Sequence, residues 1–214
     1  MTAAQPKQAF DHITDAALAE LRAEIGTEIK GPPGHITETT RDGIRHFAMG
    51  IGDENPLWLD EAYAKKSRFG GIIAPPFILL ALNKTAWGAR GLRGIHSMFS
   101  GSYFEWKRPI RLNERITSRT ILKDIEIKKS QFAGTAIKQI REAAFHDEKG
   151  EVVAIARPYS FRIERDTAGS KGKYKDLVLG TYTREDYARI AADYDKEERR
   201  GDNPRYWQDV KVGD

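Results

Sequence analysis

The 214-residue sequence contains no cysteine. Without thiols the chain can form neither a disulfide framework nor a thiolate metal site, which is typical of a reducing compartment. We therefore expect a cytoplasmic protein. Long apolar runs are lacking too, because no run is long enough to span a bilayer and the first residues carry no apolar signal segment. We expect no membrane association.

The chain also has little net charge and lacks the common cofactor-binding motifs. The formal net charge is +4, which is too small to indicate nucleic-acid binding. The sequence has no Gly-Lys-Ser/Thr phosphate loop, no dinucleotide fingerprint and no metal-ligand cluster, so we expect no metal and no resident cofactor. Hydrophobic residues make up 40% and charged residues 31%, a balance that predicts a globular protein with one sizeable core.

The stretch from Gly50 to Trp87 carries the residues that indicate chemistry. Asp53 lies in a Gly/Asn/Pro turn, where a loop can aim a carboxylate at a ligand. The glycine pair Gly70–Gly71 lets the backbone approach another molecule closely. The proline pair Pro75–Pro76 opens an apolar run that predicts a buried helix, whose first amide groups lack intrahelical partners. Such amides stabilise oxygen anions, so the stretch predicts proton transfer on an acyl group.

Three motifs in this stretch carry a family resemblance. Gly52 to Pro56 resembles the Gly-Asp-x-Asn-Pro signature of MaoC-like (R)-specific enoyl-CoA hydratases, which have a hot-dog fold. Phe69 to Ala74 resembles the Phe-Gly-x-x-Ile-Ala segment that follows it in those enzymes. Ala74 to Phe77 is closer to the amino-terminal dehydratase-domain branch, in which Ala-Pro-Pro replaces Ala-His-Gly. The resemblance covers residues 10–165.

The resemblance implies addition of water across the C2=C3 bond of an enoyl thioester, or the reverse dehydration. Asp53 matches the aspartate of the family's catalytic pair. The family's histidine lies five residues later, where this chain has Trp58. An indole N–H donates a hydrogen bond but offers no basic nitrogen. The resemblance therefore implies an acyl-CoA hydratase/dehydratase subunit that lacks the catalytic histidine and pairs with a catalytic MaoC-like chain.

The resemblance also implies which residues surround an acyl-CoA substrate. Asp53 is the catalytic candidate, and Trp58 is a predicted wall of the acyl tunnel. The turn residues Asp53 and Asn55 also suit bonding of their own backbone, so an architectural role stays open for both. The predicted substrate-binding residues are Asn55, Trp58, Gly70, Gly71, Ile73, Ala74 and Pro75. The basic candidates for the coenzyme A phosphates are Arg90, Arg93, Lys107, Arg108 and Arg111.

Two other interpretations stay open. In one, the chain is an independent enzyme that combines Asp53 with another base, for which His96 is the nearby candidate. In the other, it is a hot-dog acyl-CoA thioesterase or an acyl-CoA-binding protein, since fold alone does not fix function. The Gly-Asp-x-Asn-Pro motif argues against the thioesterase.

The rest of the pattern predicts an α+β fold. Thr14 is a predicted helix cap, and Thr39 to Asp42 has the spacing of a capping box. After residue 95, alternating segments joined by polar turns predict an antiparallel sheet wrapped around the buried helix, with Asp147 to Gly150 as a hairpin. Pro158 predicts an edge strand or a bulge.

We predict a hot-dog domain over residues 1–165, a linker over 166–180, and a helical extension and assembly tail over 181–214. Thr183 is the predicted cap of the extension's helix, and the tail that follows is strand-like. One curled sheet leaves an edge to cover, so we expect a homo- or hetero-oligomer with a second MaoC-like hot-dog chain.

Overall fold

The computed structural model describes residues 12–88, 91–130, 134–164, 178–198 and 205–213. The chain divides into two compact units, Met1–Gly172 and Lys173–Asp214. Most of the predicted linker lies outside the described residues, so its conformation stays a prediction.

The first unit is built on four long antiparallel strands. They are β1 (His96–Trp106), β2 (Thr117–Ser130), β3 (Gly134–His146) and β4 (Val152–Ile163), in the spatial order β1-β4-β3-β2. Along β3 every second residue from Ile137 to Phe145 is buried, because successive side chains of a strand point to opposite faces. One face of the sheet therefore packs on the core.

A tight polar turn joins β3 to β4. Asp147 Oδ1 accepts hydrogen bonds of 3.0 Å from the backbone N–H groups of Lys149 and Glu151, and Gly150 has a φ of +80°. The predicted hairpin is confirmed.

Neither alternative predicted for Pro158, an edge strand or a bulge, is found, because β4 is an interior strand and the register does not shift at this residue. Pro158 lies in β4, between β1 and β3, and pairs with Ser102 of β1. On the other side, the pairing of β4 with β3 skips from Tyr159 to Ala156. A proline has no N–H to donate, so an interior strand tolerates it only where the ladder is interrupted.

Four short helices precede the central segment: α1 (Asp15–Ala23), α2 (Arg41–Gly50), α3 (Pro56–Leu59) and α4 (Glu61–Lys66). The predicted cap Thr14 is confirmed, because it accepts from the Ala17 N–H. The cap of α2 is Thr40, one residue after the first residue of the predicted capping box, and it accepts from the Gly43 N–H. Asp60 caps α4 by accepting from two backbone N–H groups, which satisfies donors that the helix leaves unpaired.

The central segment is buried, but it is not the continuous helix that its composition predicts. It consists of a 3-10 turn (Pro76–Ile78), the one-turn helix α5 (Leu79–Leu82) and a second 3-10 turn (Thr85–Trp87). Asn83 interrupts it with extended dihedral angles. The Asn83 amide donates to the hydroxyls of Ser118 and Thr120 at 2.8 and 3.0 Å, and its oxygen accepts from the Ala86 N–H. The side-chain network of Asn83 thus replaces helical hydrogen bonds.

Two buried arginines extend this network across the sheet. Arg141 donates to the Ala86 carbonyl and to the amide oxygen of Gln139, and Arg162 donates to the carbonyls of Gly91, Leu92 and Ile95. Burial, together with the neighbouring Arg162 cation, lowers the pKa of Arg141 to about 10. We call this set the polar layer: Asn83, Thr120, Gln139, Arg141 and Arg162.

These strands curl around a buried central segment, so the first unit has the predicted α+β hot-dog fold. Ile78, Leu79, Leu82 and Ala86 form the inward side of that segment. Phe77 and Leu80 remain exposed.

The second unit contains α6 (Arg184–Tyr194), whose predicted cap Thr183 is confirmed and forms a capping box with Asp186. None of its residues is buried. A 3-10 turn (Trp207–Asp209) follows where the strand-like tail is predicted, so that prediction is wrong. Within the described ranges, no helix has the length and apolarity needed to cross a membrane.

Candidate functional site

A cavity of about 700 Å³ lies in the first unit. Its wall combines α3, the segment before α5 and the residues that follow β1. Backbone hydrogen bonds hold these pieces together: Ala74 N–H donates to Ile110 O at 2.8 Å, and Leu112 N–H to Ile72 O at 3.2 Å. The lining residues are Leu57, Trp58, Arg68, Phe69, Ile73, Ala74, Pro75, Pro76, Phe77, Trp106, Lys107, Arg108, Pro109 and Ile110.

Aromatic rings shape one side of this cavity. The Phe77 ring meets the rings of Phe104 and Trp106 edge-on, with centroid distances of 5.2 and 5.6 Å. Trp106 is fixed further because its Nε1–H donates to the Pro76 carbonyl at 3.0 Å. A concave, mostly apolar wall with few polar groups is typical of a small-molecule site.

Trp58 belongs to this wall and differs from its neighbours. It lies in α3, which begins where Asn55 Oδ1 accepts from the Leu57 N–H at 3.0 Å. The Trp58 side chain is 7% exposed, and no acceptor for its Nε1–H lies among the described residues. A buried donor without an acceptor costs free energy.

The Asp53 turn lies outside the cavity lining. Asp53 Oδ1 accepts from the Asn55 N–H at 3.1 Å, which makes the aspartate a cap of its own turn. Neither Asp53 nor Asn55 lines the cavity. Both remain predicted site residues, and the observed contacts are the architectural ones.

The glycine pair also lies outside the lining, whereas Ile73, Ala74 and Pro75 are part of it. Gly70 has a φ of +70°, a conformation that other residues adopt reluctantly, so the backbone explains this glycine. A Cβ added to Gly70 or Gly71 would meet no atom within 4 Å. Space for close approach exists at both positions, and their predicted ligand contact stays a prediction.

No carboxylate and no imidazole is found among the described residues that line the cavity. All five histidines of the chain lie elsewhere. His96, the alternative base, begins β1 and pairs with Ile163 of β4. The cavity wall thus offers a surface for an apolar ligand but no acid–base pair.

The cations at the cavity differ in what they already bind. Lys107 pairs with Glu105, and Arg108 pairs with Glu114 and Asp147 at 2.8 and 2.9 Å. The hydrogen bond from Arg108 holds the pKa of Asp147 below its ordinary value. These lining cations are therefore committed to neighbouring carboxylates.

Four other arginines complete the comparison. Arg111 donates to the Phe69 carbonyl at 2.6 Å, while Arg93 lines a different cavity and Arg90 falls outside the described ranges. Arg68 lies 4.9 Å from the centroid of the Phe69 ring and has no ion pair with any residue that the structure describes. Arg68 is not among the cations predicted from the sequence, although it directly precedes the Phe-Gly motif.

The fold and the first-unit motifs define a MaoC-like dehydratase domain, and comparisons with known proteins agree. Residues 23–156 match the family described as "FAS1-like, dehydratase domain region". The chain therefore belongs to this FAS1-like dehydratase-region family.

Similar proteins are known by sequence and by structure. The UPF0336 protein of Streptomyces avermitilis is 31% identical over 131 residues, which are 58% of this chain and 84% of that protein. The UPF0336 protein of Saccharopolyspora erythraea is 31% identical over 150 residues, 67% of this chain and 90% of that protein. A chain in the crystal structure of the ChsH1–ChsH2 complex from Mycobacterium tuberculosis has a TM-score of 0.55 at 19% identity, covering 69% of this chain and 89% of that one. A MaoC-like dehydratase structure has a TM-score of 0.54 at 20% identity, covering 77% of this chain and 50% of that one.

Proposed function

We propose that this chain is the acyl-thioester-binding subunit of an enoyl-CoA hydratase/3-hydroxyacyl-CoA dehydratase, and that a MaoC-like partner chain supplies the catalytic aspartate and histidine. The observation that carries the proposal is a cavity of about 700 Å³ with an apolar, aromatic wall and no carboxylate or imidazole among its described lining residues.

The chemistry explains why a partner is needed. Hydration of an enoyl thioester requires two proton-handling groups, each within ~3 Å of a shared water. Trp58 holds the position of one of them and has no basic nitrogen. Asp53 Oδ1 is engaged by the Asn55 N–H. This chain alone is therefore expected to bind the thioester with little turnover.

The ligand class follows from the wall and its charge. An acyl chain suits the rings of Phe69, Phe77 and Trp106, because burying apolar surface is favourable. Coenzyme A carries several phosphates, and Arg68 is the lining cation that has no carboxylate partner within the described chain. A guanidinium binds phosphate oxygens in a bidentate manner, so we assign Arg68 to a phosphate of the coenzyme.

The partner surface is assigned to β1. This strand lies at one edge of the sheet, with β4 on one side only. Its residues Phe99 and Tyr103 are 61% and 54% exposed. An edge strand with exposed apolar side chains is a template for pairing with another chain. The structural similarity to a chain of the ChsH1–ChsH2 complex supports a two-chain assembly.

Hydration of crotonyl-CoA tests the proposal. The purified chain alone is expected to bind crotonyl-CoA and to hydrate it negligibly, and activity is expected when a MaoC-like chain that co-purifies with it is present. Strong hydratase activity of the isolated chain that Asp53→Asn abolishes would contradict the proposal. Mass measurement of the co-purified partner identifies the second subunit.

The same assay separates the alternative functions. Release of free coenzyme A thiol would indicate a thioesterase, which the lack of a lining carboxylate disfavours. Tight binding without any co-purifying hot-dog chain would indicate an acyl-CoA-binding protein.

A further inference from the structure

We propose that Arg111 is a positioning residue of the cavity. Its guanidinium holds the Phe69 carbonyl and so fixes the turn that carries Phe69 and Arg68 to the cavity wall. Arg111 is not among the residues that line the cavity, whereas Phe69 and Arg68 are. The inference rests on the proposed function where it concerns the ligand, because it takes an acyl-CoA thioester as the occupant of the cavity.

Two segments of chain meet at this wall through a short ladder of backbone hydrogen bonds. Ala74 N–H donates to Ile110 O at 2.8 Å, and Leu112 N–H donates to Ile72 O at 3.2 Å. Within the described residues, no further backbone bond joins residues 69–71 to the segment after β1. There Arg111 Nη1 donates to Phe69 O at 2.6 Å. A side chain thus continues the ladder where the backbone no longer does.

The turn at residues 67–71 is otherwise held by bonds within itself. Gly70 N–H donates to Ser67 O at 3.0 Å, and Phe69 N–H donates to Ser67 Oγ at 3.2 Å. These bonds shape the turn but do not attach it to the segment after β1. In the part of the chain that the structure describes, the bond from Arg111 makes that attachment at Phe69.

The surroundings of Arg111 leave its guanidinium available for this bond. Glu114, the carboxylate next to it, accepts from the backbone N–H of Arg111 at 3.0 Å and pairs with Arg108. The Arg111 side chain has no ion pair among the described residues, so no carboxylate draws it away from Phe69. A hydrogen bond from a charged donor is stronger than one between neutral groups.

Phe69 transmits this restraint to both ends of the proposed ligand. Its ring faces the acyl group, and Arg68 Cζ lies 4.9 Å from the ring centroid, so the Arg68 guanidinium stacks on the same ring. A turn that shifts moves the apolar ring and the phosphate-binding cation together. Because binding groups must be held close to their productive positions, a loose turn weakens the ligand.

Limited trypsin digestion of the ligand-free full chain tests the hold on the turn. Trypsin cleaves after arginine, so cleavage of the Arg68–Phe69 bond reports opening of the turn. Arg111→Met is expected to speed this cleavage about 5-fold, because loss of a hydrogen bond raises the population of the locally open form. Cleavage at other sites of the first unit should stay unchanged. An unchanged rate after Arg68, or an equal increase at all sites, would overturn the inference.

Arg115→Met is the matched control for this digestion. Arg115 lies on the same connection between β1 and β2 but lines other cavities, and no bond from its side chain to the turn is found in the described chain. The control should cleave after Arg68 at the wild-type rate.

Calorimetric titration with two probes tests the consequence for binding. The probes are crotonyl-CoA and crotonyl-pantetheine, a thioester without the nucleotide and its phosphates. Arg111→Met is expected to weaken both about 3- to 10-fold, because Phe69 contacts the part that they share. Arg111→Lys keeps one donor for the carbonyl and should stay within about 2-fold of the wild type. In a Phe69→Leu background, Arg111→Met should cause no further loss with crotonyl-pantetheine, since its effect passes through Phe69.

The outcomes separate this inference from the proposed function. Weakening confined to crotonyl-CoA, with unchanged cleavage after Arg68, would mean that Arg111 contacts a phosphate directly, and it would overturn the inference. Independent losses in Phe69→Leu and Arg111→Met would overturn it as well. If the wild-type chain and its co-purified assembly bind neither probe, the proposed function fails, whereas the digestion still decides whether Arg111 holds the turn.

Discussion

The polar layer and the cavity are two buried regions of one hot-dog unit that treat polar groups in opposite ways. In the polar layer, Asn83 and Arg162 donate to several acceptors each. In the cavity wall, the Trp58 N–H has no acceptor within the described residues. The difference teaches that this fold bonds buried polar side chains to the backbone where they hold the chain together, although the Arg141 Nε–H also has no acceptor in the described chain.

Arg162→Met tests the polar layer most severely. The change leaves the carbonyls of Gly91, Leu92 and Ile95 without their guanidinium donor, so we expect a loss of about 3–5 kcal/mol in the free energy of unfolding. Urea denaturation measures it. Arg157→Met is the matched control on the same strand, because its guanidinium is partly exposed and pairs with Glu142. The control should cost about 1 kcal/mol, and equal losses would refute the special role of the polar layer.

Asn83→Ala should have the next largest effect. The variant removes two donated hydrogen bonds and the acceptor for the Ala86 N–H, so we expect a loss of about 2–3 kcal/mol in urea denaturation. Ser118→Ala removes only one acceptor of the same amide and should cost about 1 kcal/mol or less. A loss in Asn83→Ala no larger than in Ser118→Ala would show that the central segment does not depend on this network.

Trp87→Phe and Trp58→Phe compare the two regions directly. Both changes remove an indole N–H, but only that of Trp87 is hydrogen-bonded, to Asn83 O. We expect Trp87→Phe to lower the free energy of unfolding by about 1 kcal/mol more than Trp58→Phe does, since removing an unpaired donor relieves a desolvation cost. Thermal unfolding of the ligand-free variants measures the difference. The reverse order would mean that Trp58 has an acceptor in the free protein.

Acidification should produce the smallest effect. It acts on the ion pair between Arg108 and Asp147. The hydrogen bond from Arg108 lowers the pKa of Asp147 from its ordinary value of 3.8. The folded state thus binds fewer protons than the unfolded state in this range, so the stabilisation is present above the unfolded pKa and is lost as the pH falls through the folded one.

Asp147→Asn checks the sign, because an amide oxygen can still accept the turn's hydrogen bonds. The variant should be less stable near neutral pH and show a shallower loss of stability below about pH 4 in acid titrations of unfolding. Glu148→Gln, in the same turn and without an ion pair among the described residues, serves as the control. A variant as acid-sensitive as the wild type would show that the Arg108 pair does not contribute.

Local patterns in the sequence predicted the fold well. The alternation of apolar and polar residues predicted the strands. The motifs around Asp53 and Phe69 indicated the family, because a short signature with fixed spacing reflects a local backbone geometry. The continuous central helix failed for a long-range reason. The partners of Asn83 lie on β2, at Ser118 and Thr120, and no window around residue 83 contains them.

The prediction for Pro158 also failed for a long-range reason, which is the order of the strands. A proline predicts an edge only if the order of strands is known, and the order β1-β4-β3-β2 places β4 inside the sheet. Burial of Arg141 and Arg162 could not be predicted either. Arginine is ordinarily a surface residue, and only the tertiary structure supplies the carbonyls that bind it.

The candidate site was predicted in part. Trp58 follows the first motif, whereas Ile73, Ala74 and Pro75 belong to the two later ones, and all four line one cavity. The turn bond that occupies Asp53 and the ion pairs that occupy Lys107 and Arg108 depend on contacts that composition does not reveal. Arg68 could not be distinguished from the other cations by sequence, because the difference lies in the ion pairs that Lys107 and Arg108 form.

The exposed edge of β1 has a practical consequence for handling the protein. A bare strand edge that displays Phe99 and Tyr103 favours self-association at high concentration. Preparations of the isolated chain should therefore precipitate or form soluble aggregates sooner than preparations in which a second chain is co-expressed, and co-expression is the better starting point for crystallisation.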